Sequence, residues 1–187
     1  EIGFPEPQES TAQRLQAATG QTVIATGYTH STTPGWKLVP DSSVNVPGKH
    51  NAELVSPKLE GASALQKVHT MLDAVDRLPG GPKVNATSGH HVHFDGSANL
   101  SLEDVKRIAA SYYVHEEAFD IMMPRSRQGN GNRFLRSHRS GITPVGNEAG
   151  VIQRIRGARD FDALNEIFCP DGNGGVTRYY KLNLTNL

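Results

Sequence analysis

The stretch NAELVSPKLEGASALQKVHTMLDAVDRLPGGPKVNAT, residues 51–87, sets an extended run against a helical one and closes both with turn residues. NAELVSP reads as a strand that stops at Pro57. Past Gly61, Leu65, Val68, Leu72 and Val75 recur at three- and four-residue spacing, the period of an amphipathic helix, which PGGP at residues 79–82 ends. KVNAT then reads as a short strand. Sheet and helix in one short stretch predict that both pack in the same domain.

Working outward, EIGF, QTVIATG, WKLVPDSSV and NAELVSP give the first 60 residues a strand-forming character between Gly, Pro and Asn punctuation. After KVNAT, SGHHVHFDG at residues 88–96 is expected to continue or neighbour that strand. Alternation would then send His91, His93 and Asp95 to one face and His90, Val92 and Phe94 to the other. Ser101 and Asp104 cap a long helix over SLEDVKRIAASYYVHEEAFDIMM, which Pro124 ends. Residues 125–158, rich in Gly, Asn and Arg, are expected to be loop. Asp160 caps a last helix through Phe161, Leu164, Ile167 and Phe168, and VTRYYKLNLTNL alternates like a strand. The expectation is an α+β fold with an antiparallel or mixed sheet, in one domain spanning residues 1–187.

Lys plus Arg and Asp plus Glu both count 19, so net charge argues for neither nucleic acid nor an acidic membrane as partner. No apolar run reaches the length of a membrane span, and EIGFPEPQES lacks a signal-peptide pattern. The single cysteine, Cys169, makes no internal disulfide and no cysteine-rich zinc site, and before Pro170 it reads as a core thiol. A cytoplasmic protein is expected. The sequence starts on Glu1 rather than Met, so a segment upstream is expected to be missing.

The chemistry-bearing residues fall in three groups. Two imidazoles at i and i+2, His91 and His93, can share a metal ion or divide between a metal and a ligand. Eight of twelve arginines lie between Arg125 and Arg159 without a lysine among them, and planar guanidinium suits phosphate and carboxylate. Glu53, flanked by Ala52 and Leu54, is a carboxylate on a strand, where burial would call for a cation. Asp41 reads as a turn former, and Glu116 and Glu117 as a solvated helix face.

In order, WKLVPDSSV (36–44), ELVSPKLEG (53–61), SGHHVHFD (88–95), EAFDIMMPRSRQGN (117–130) and YYKLNL (179–184) resemble the amidoligase family. That family belongs to the carboxylate-amine ligase superfamily, with glutamine synthetase and glutamate-cysteine ligase. The resemblance runs over nearly the whole chain. It implies a glutamine synthetase-like curved sheet forming a cleft, with helices on its outer face. It implies ATP-dependent amide formation through an acyl phosphate, with magnesium, or manganese in its place, and with small-molecule or peptide carboxylates and amines as partners. By position it implies Glu1, Glu53 and His91 as metal ligands, and Glu53 and Arg127 in catalysis. His93, Arg125, Lys181 and Asn183 fall to the nucleotide. It leaves room for an oligomer.

Two departures stand out. The family's opening strand carries G-x-E-x-E; here Glu1 can supply the first glutamate, but Gly3 stands where the second belongs. A T-x-E-F-R strand that follows Y-x-x-L-N is expected beyond Leu187. The alternatives are a metal-dependent hydrolase using His91, His93 and Asp95, against which Gly96 replaces the next histidine, and a non-catalytic, ligase-like binding module.

Overall fold

The computed structural model describes residues 1–96, 100–142 and 147–186. The chain divides into two compact units, Glu1–Val92 and His93–Leu187.

In the first unit, β1 (Ile2–Phe4), β2 (Val23–Ala25), β3 (Trp36–Pro40) and β4 (His50–Val55) form a sheet in the order β1-β4-β3-β2. The β2–β3 pair is parallel and the other pairs are antiparallel, so the sheet is mixed, as expected. Alternation gives it two different faces. Phe4, Val23, Trp36, Leu38 and Ala52 pack with Ala12 and Leu15 of α1 (Gln8–Thr19) and Met71 and Val75 of α2 (Ser63–Asp76) into one core. The opposite face carries Gly3, Lys37, Val39, Asn51, Glu53 and Val55, by the register Gly3↔Asn51, Val39↔Glu53 and Lys37↔Val55.

The predicted helix after Gly61 is α2. Helix α1 was not expected. Its sequence, QESTAQRLQAAT, offers one large apolar residue, Leu15, and buries Thr11 and Ala12 beside it, so the periodic signal is faint. It ends on Gly20 at φ 68°, a left-handed cap that donates its N–H to Gln16 O.

The expected strands at KVNAT and SGHHVHFDG do not form. Lys83 makes a single antiparallel bridge to Gly3, and residues 84–96 carry no ladder. Short polar side chains satisfy the backbone instead: Asn85 Oδ1 accepts from Thr87 N–H at 2.8 Å, and Asn85 N–H donates to Ser88 Oγ at 3.2 Å. Such local bonds compete with strand pairing.

The second unit is helical among its described residues. Helix α3 (Leu102–Ile121) starts at the predicted cap, a reciprocal Ser101–Asp104 box. The Ser101 hydroxyl and Arg107 hold the Asp104 carboxyl down at about 2. A 3-10 turn (Arg125–Arg127), α4 (His138–Ile142) and α5 (Glu148–Gly157) occupy the span expected to be loop. Asn147 caps α5 by accepting from Gly150 N–H, and Val151 and Ile155 bury its inner side. Asp160 caps α6 (Phe161–Phe168) as predicted. These elements share a core of Val105, Ala109, Tyr113, Ile155, Leu164 and Phe168. The expected last strand is absent: Val176 and Tyr180 each make one isolated bridge, and Asn183 folds the chain into a turn by accepting from Thr185 N–H at 2.9 Å. Among the described residues no helix is long and apolar enough to cross a membrane.

Candidate functional site

On the sheet face that α1 and α2 leave uncovered, one more step of the β1–β4 register beyond Ile2↔Ala52 sets Glu1 opposite Glu53. Glu53 is half-buried there, while Ala52 before it lies in the core, so the two halves of the strand alternation are chemically split. The segment after Lys83 brings a third group to this face. Glu1 donates its amino N–H to Gly89 O at 3.0 Å, and the Glu1 Oε1 lies 3.1 Å from His91 Nε2. The Glu1 side chain is 12 % exposed and that of His91 51 %, a carboxylate largely withdrawn from water under an accessible imidazole.

Gly89 makes this pairing sterically feasible. A Cβ there would lie 2.7 Å from Glu1 Oε2 and 2.8 Å from His91 Nε2, both below normal contact. The glycine of the G-x-H-V-H pattern thus opens the space in which carboxylate and imidazole meet. Gly3 is equally constrained on the same face. A Cβ there would come within 2.6 Å of Val46 Cβ and 2.9 Å of Lys49 Cβ, so no second glutamate fits at this position with the 41–49 segment where it is.

Among the described residues no three His, Cys, Asp or Glu side chains converge closely enough to hold a metal ion. The donor set is a carboxylate–imidazole pair with a second carboxylate in the next row. Such a set is too sparse for a closed zinc cage.

In the second unit the predicted arginines separate by role. Arg125 is exposed and Arg127 half-buried in the 3-10 turn behind Pro124. Arg139 pairs with Glu117 at 3.5 Å and with Glu148, and Arg159 with Asp160 at 3.2 Å. His93 is exposed, and residues 93–96 have no strand to orient it.

Lys181 is engaged by acid groups: its Nζ lies 2.6 Å from Asp120 Oδ1 and 3.4 Å from Glu116 Oε1, with its side chain 8 % exposed. Asp120 Oδ2 also accepts Gly129 N–H at 2.7 Å, so this ion pair pins the turn that carries Arg127. Asn183 stands exposed in its turn.

Glu116 overturns the expectation of a solvated face. It is 1 % exposed, and its carboxylate accepts from His138 N–H at 3.1 Å, Arg139 N–H at 2.8 Å and Ser137 Oγ at 3.2 Å. His138, which sequence reasoning passed over, is fully buried between the rings of Phe168 and Tyr180, with centroids 3.8 and 4.6 Å away. With its proton on Nδ1 it donates to Phe168 O at 2.9 Å, and Nε2 accepts Leu182 N–H at 3.3 Å. Burial drives its pKa down to about 3, so the imidazole is neutral at pH 7. Burial likewise pushes the Cys169 thiol up to about 11, in keeping with a core cysteine.

A model of the family described as "Putative amidoligase enzyme" matches residues 6–187. The chain belongs to that family. Beyond it, no curated protein and no solved structure gave a significant match. Within this amidoligase-family chain, Glu53, His91, His93, Arg125, Arg127, Lys181 and Asn183 lie inside the matched stretch, and Glu1 precedes it. The first unit brings Glu1 and His91 together, with Glu53 in the row beside them. His93, Arg125, Arg127, Lys181 and Asn183 belong to the second unit.

Proposed function

We propose that this protein is an ATP-dependent ligase that joins a carboxylate to an amine, with a glutamine synthetase-like use of the sheet face opposite the helices. One observation carries the reading: in a chain of the amidoligase family, the Glu1–His91 pair stands on that face with Glu53 in the adjacent row. In the proposed reaction a carboxylate oxygen of a small molecule or peptide attacks the γ-phosphorus of ATP and ADP leaves. The amine nitrogen then attacks the acyl carbon, phosphate leaves, and the nitrogen gives up a proton. Both steps build negative charge on phosphoryl oxygens, which cationic groups stabilise.

Glu1 and His91, the pair in contact, would give magnesium its protein ligands, with water and phosphate oxygens completing the shell, and the ion would supply charge neutralisation at the phosphates. Glu1 and Glu53 set two carboxylates on one face, and the Glu1 contact fixes which edge of the His91 ring is turned outward. The family pattern gives Arg127, with Arg125 before it, as the guanidinium that meets the transferring charge and His93 as a nucleotide contact; all three belong to the second unit. Lys181 acts at a distance, by holding Asp120 and so the turn that follows Arg127.

The test is magnesium-dependent ATP binding, followed by phosphate release in the presence of amines and carboxylates. His91→Ala is expected to abolish metal-dependent ATP binding and leave the circular dichroism spectrum unchanged. Wild-type binding in that variant would remove His91 from the site. Retained zinc without ATP affinity would turn the assignment toward the hydrolase.

Gly3 favours a second reading, a ligase-like module that binds nucleotide without turnover. The glutamate expected at that position has no room beside Val46. ATP binding without stimulated phosphate release would support it, and stimulated release would exclude it.

A further inference from the structure

The arginine block contains one concave feature that the ligase reading leaves unassigned. Asn130, Arg133, Arg136, Pro170, Asp171 and Tyr180 line an open crevice of about 340 Å3. That volume is in the range of small-ligand pockets.

Arg136 is not a loop arginine in water. Its N–H donates to Tyr179 O at 2.8 Å and its carbonyl accepts Lys181 N–H at 3.2 Å, so its backbone is held on both sides by the 179–181 segment. Lys181 in turn is fixed by Asp120 and Glu116, and Ser137 N–H, next in the chain, donates to Asn130 Oδ1 at 3.1 Å. Tyr180 is as closely set: a Cβ at Gly141 would lie 2.8 Å from the Tyr180 Oη, which donates to Pro170 O at 3.2 Å. The Arg136 charge opposes the upward shift that burial gives the Tyr180 hydroxyl. Arg133 lies over the Phe134 ring at 4.5 Å. Among the described residues no carboxylate lies within 4.0 Å of the Arg133 or Arg136 guanidinium, whereas Arg139 and Arg159 have acidic partners. Two guanidinium groups line one crevice, the first of them on a clamped backbone.

We propose that this crevice binds an oxyanion, with Arg136 as the paired-donor anchor, Arg133 as the second cation and the Tyr180 ring as part of the lining. Guanidinium recognises phosphate and carboxylate through the same fork of N–H donors, so the ligand group is a phosphoryl or a carboxylate. Asp171 sets the polarity of the lining. Its carboxylate accepts from Asn173 and Gly175 N–H at 2.7 and 3.0 Å and feels the Arg136 charge, which together keep it charged and set a negative group in the crevice that disfavours an extended polyanion. The site therefore suits one terminal anionic group rather than a polyanion.

The experiment is a titration of the full chain with inorganic phosphate, pyrophosphate and acetate, without ATP, metal or turnover, so failure of the ligase reading would leave it standing. Affinity for phosphate above acetate identifies the phosphoryl group and the reverse the carboxylate; pyrophosphate is expected to bind no tighter than phosphate. Arg136→Gln should weaken the preferred anion by ~10-fold or more, the loss of a charge-assisted hydrogen-bond pair. Arg133→Gln, on an exposed turn, should weaken it by a smaller factor and keeps the test alive if Arg136→Gln does not fold. Arg156→Gln, exposed on α5, should leave it unchanged. Binding of neither anion, wild-type affinity in the folded arginine variants of the crevice, or equal loss in Arg156→Gln would overturn the proposal.

Discussion

Acid should destabilise the second unit through His138, well above the pH at which most carboxylates protonate. The folded imidazole has a pKa of about 3 and the unfolded one about 6.5. Between those values the unfolded chain takes up a proton that the folded chain refuses, so stability is complete above pH 6.5 and falls as pH drops toward 3. At ~1.4 kcal/mol per pH unit, the loss is about 2 kcal/mol at pH 5 and about 3 kcal/mol at pH 4. Domains of this size have a total stability of roughly 5–15 kcal/mol, so that is a large share. The physical cause is burial: a charged imidazole would sit between two aromatic rings with Lys181 nearby, and this outweighs the hydrogen bonds that it could give to the Phe168 and Leu182 carbonyls. Amide hydrogen exchange of α3 and α6 at pH 7.5 and 5 reads this unit separately. The wild type should lose about 2 kcal/mol more than His138→Gln, which keeps polar partners but does not titrate. Equal losses in the two proteins, or an imidazole that titrates near 6.5 by NMR, would refute the reasoning.

Glu116→Ala should cost about 3 kcal/mol in urea unfolding, because it strips the acceptor from the buried His138 N–H and the part-buried Arg139 N–H and leaves Lys181 one carboxylate short; a loss below ~1 kcal/mol would contradict the burial. Gly89→Ala should change stability little, since only the ends of the Glu1 and His91 side chains must move. It should nevertheless weaken magnesium-dependent ATP binding by ~10-fold or more, an effect of the size seen when groups that orient metal ligands are lost; unchanged binding would show that the pair is not used. Cys169 should stay unmodified by thiol reagents at pH 7.5 until the chain is unfolded, because burial keeps it a thiol; rapid native labelling would contradict this.

Patterns of local origin were legible in the sequence. The period of Leu65, Val68, Leu72 and Val75 gave α2, the Ser101–Asp104 and Asp160 caps gave the starts of α3 and α6, and Asp41 holds its turn by accepting from Ser43 N–H at 2.8 Å. Each depends on neighbours within a few positions. Helix α1 was missed because one leucine and an alanine carry its buried side, and α5 because its arginines masked Val151 and Ile155.

Residue types and their order sufficed to point to the amidoligase family. Alternation along SGHHVHFDG was the wrong geometric argument, since that segment forms no strand. Its His91 is oriented by a carboxylate 90 positions away and by a glycine that leaves room for it. The same holds for Glu116, expected on a solvated face, which is buried because the 136–139 segment folds onto helix α3 and Lys181 pairs with it. A sequence fixes propensities between near neighbours, whereas desolvation and pairing of a charge depend on what the chain brings against it, and here that was decided by tertiary structure.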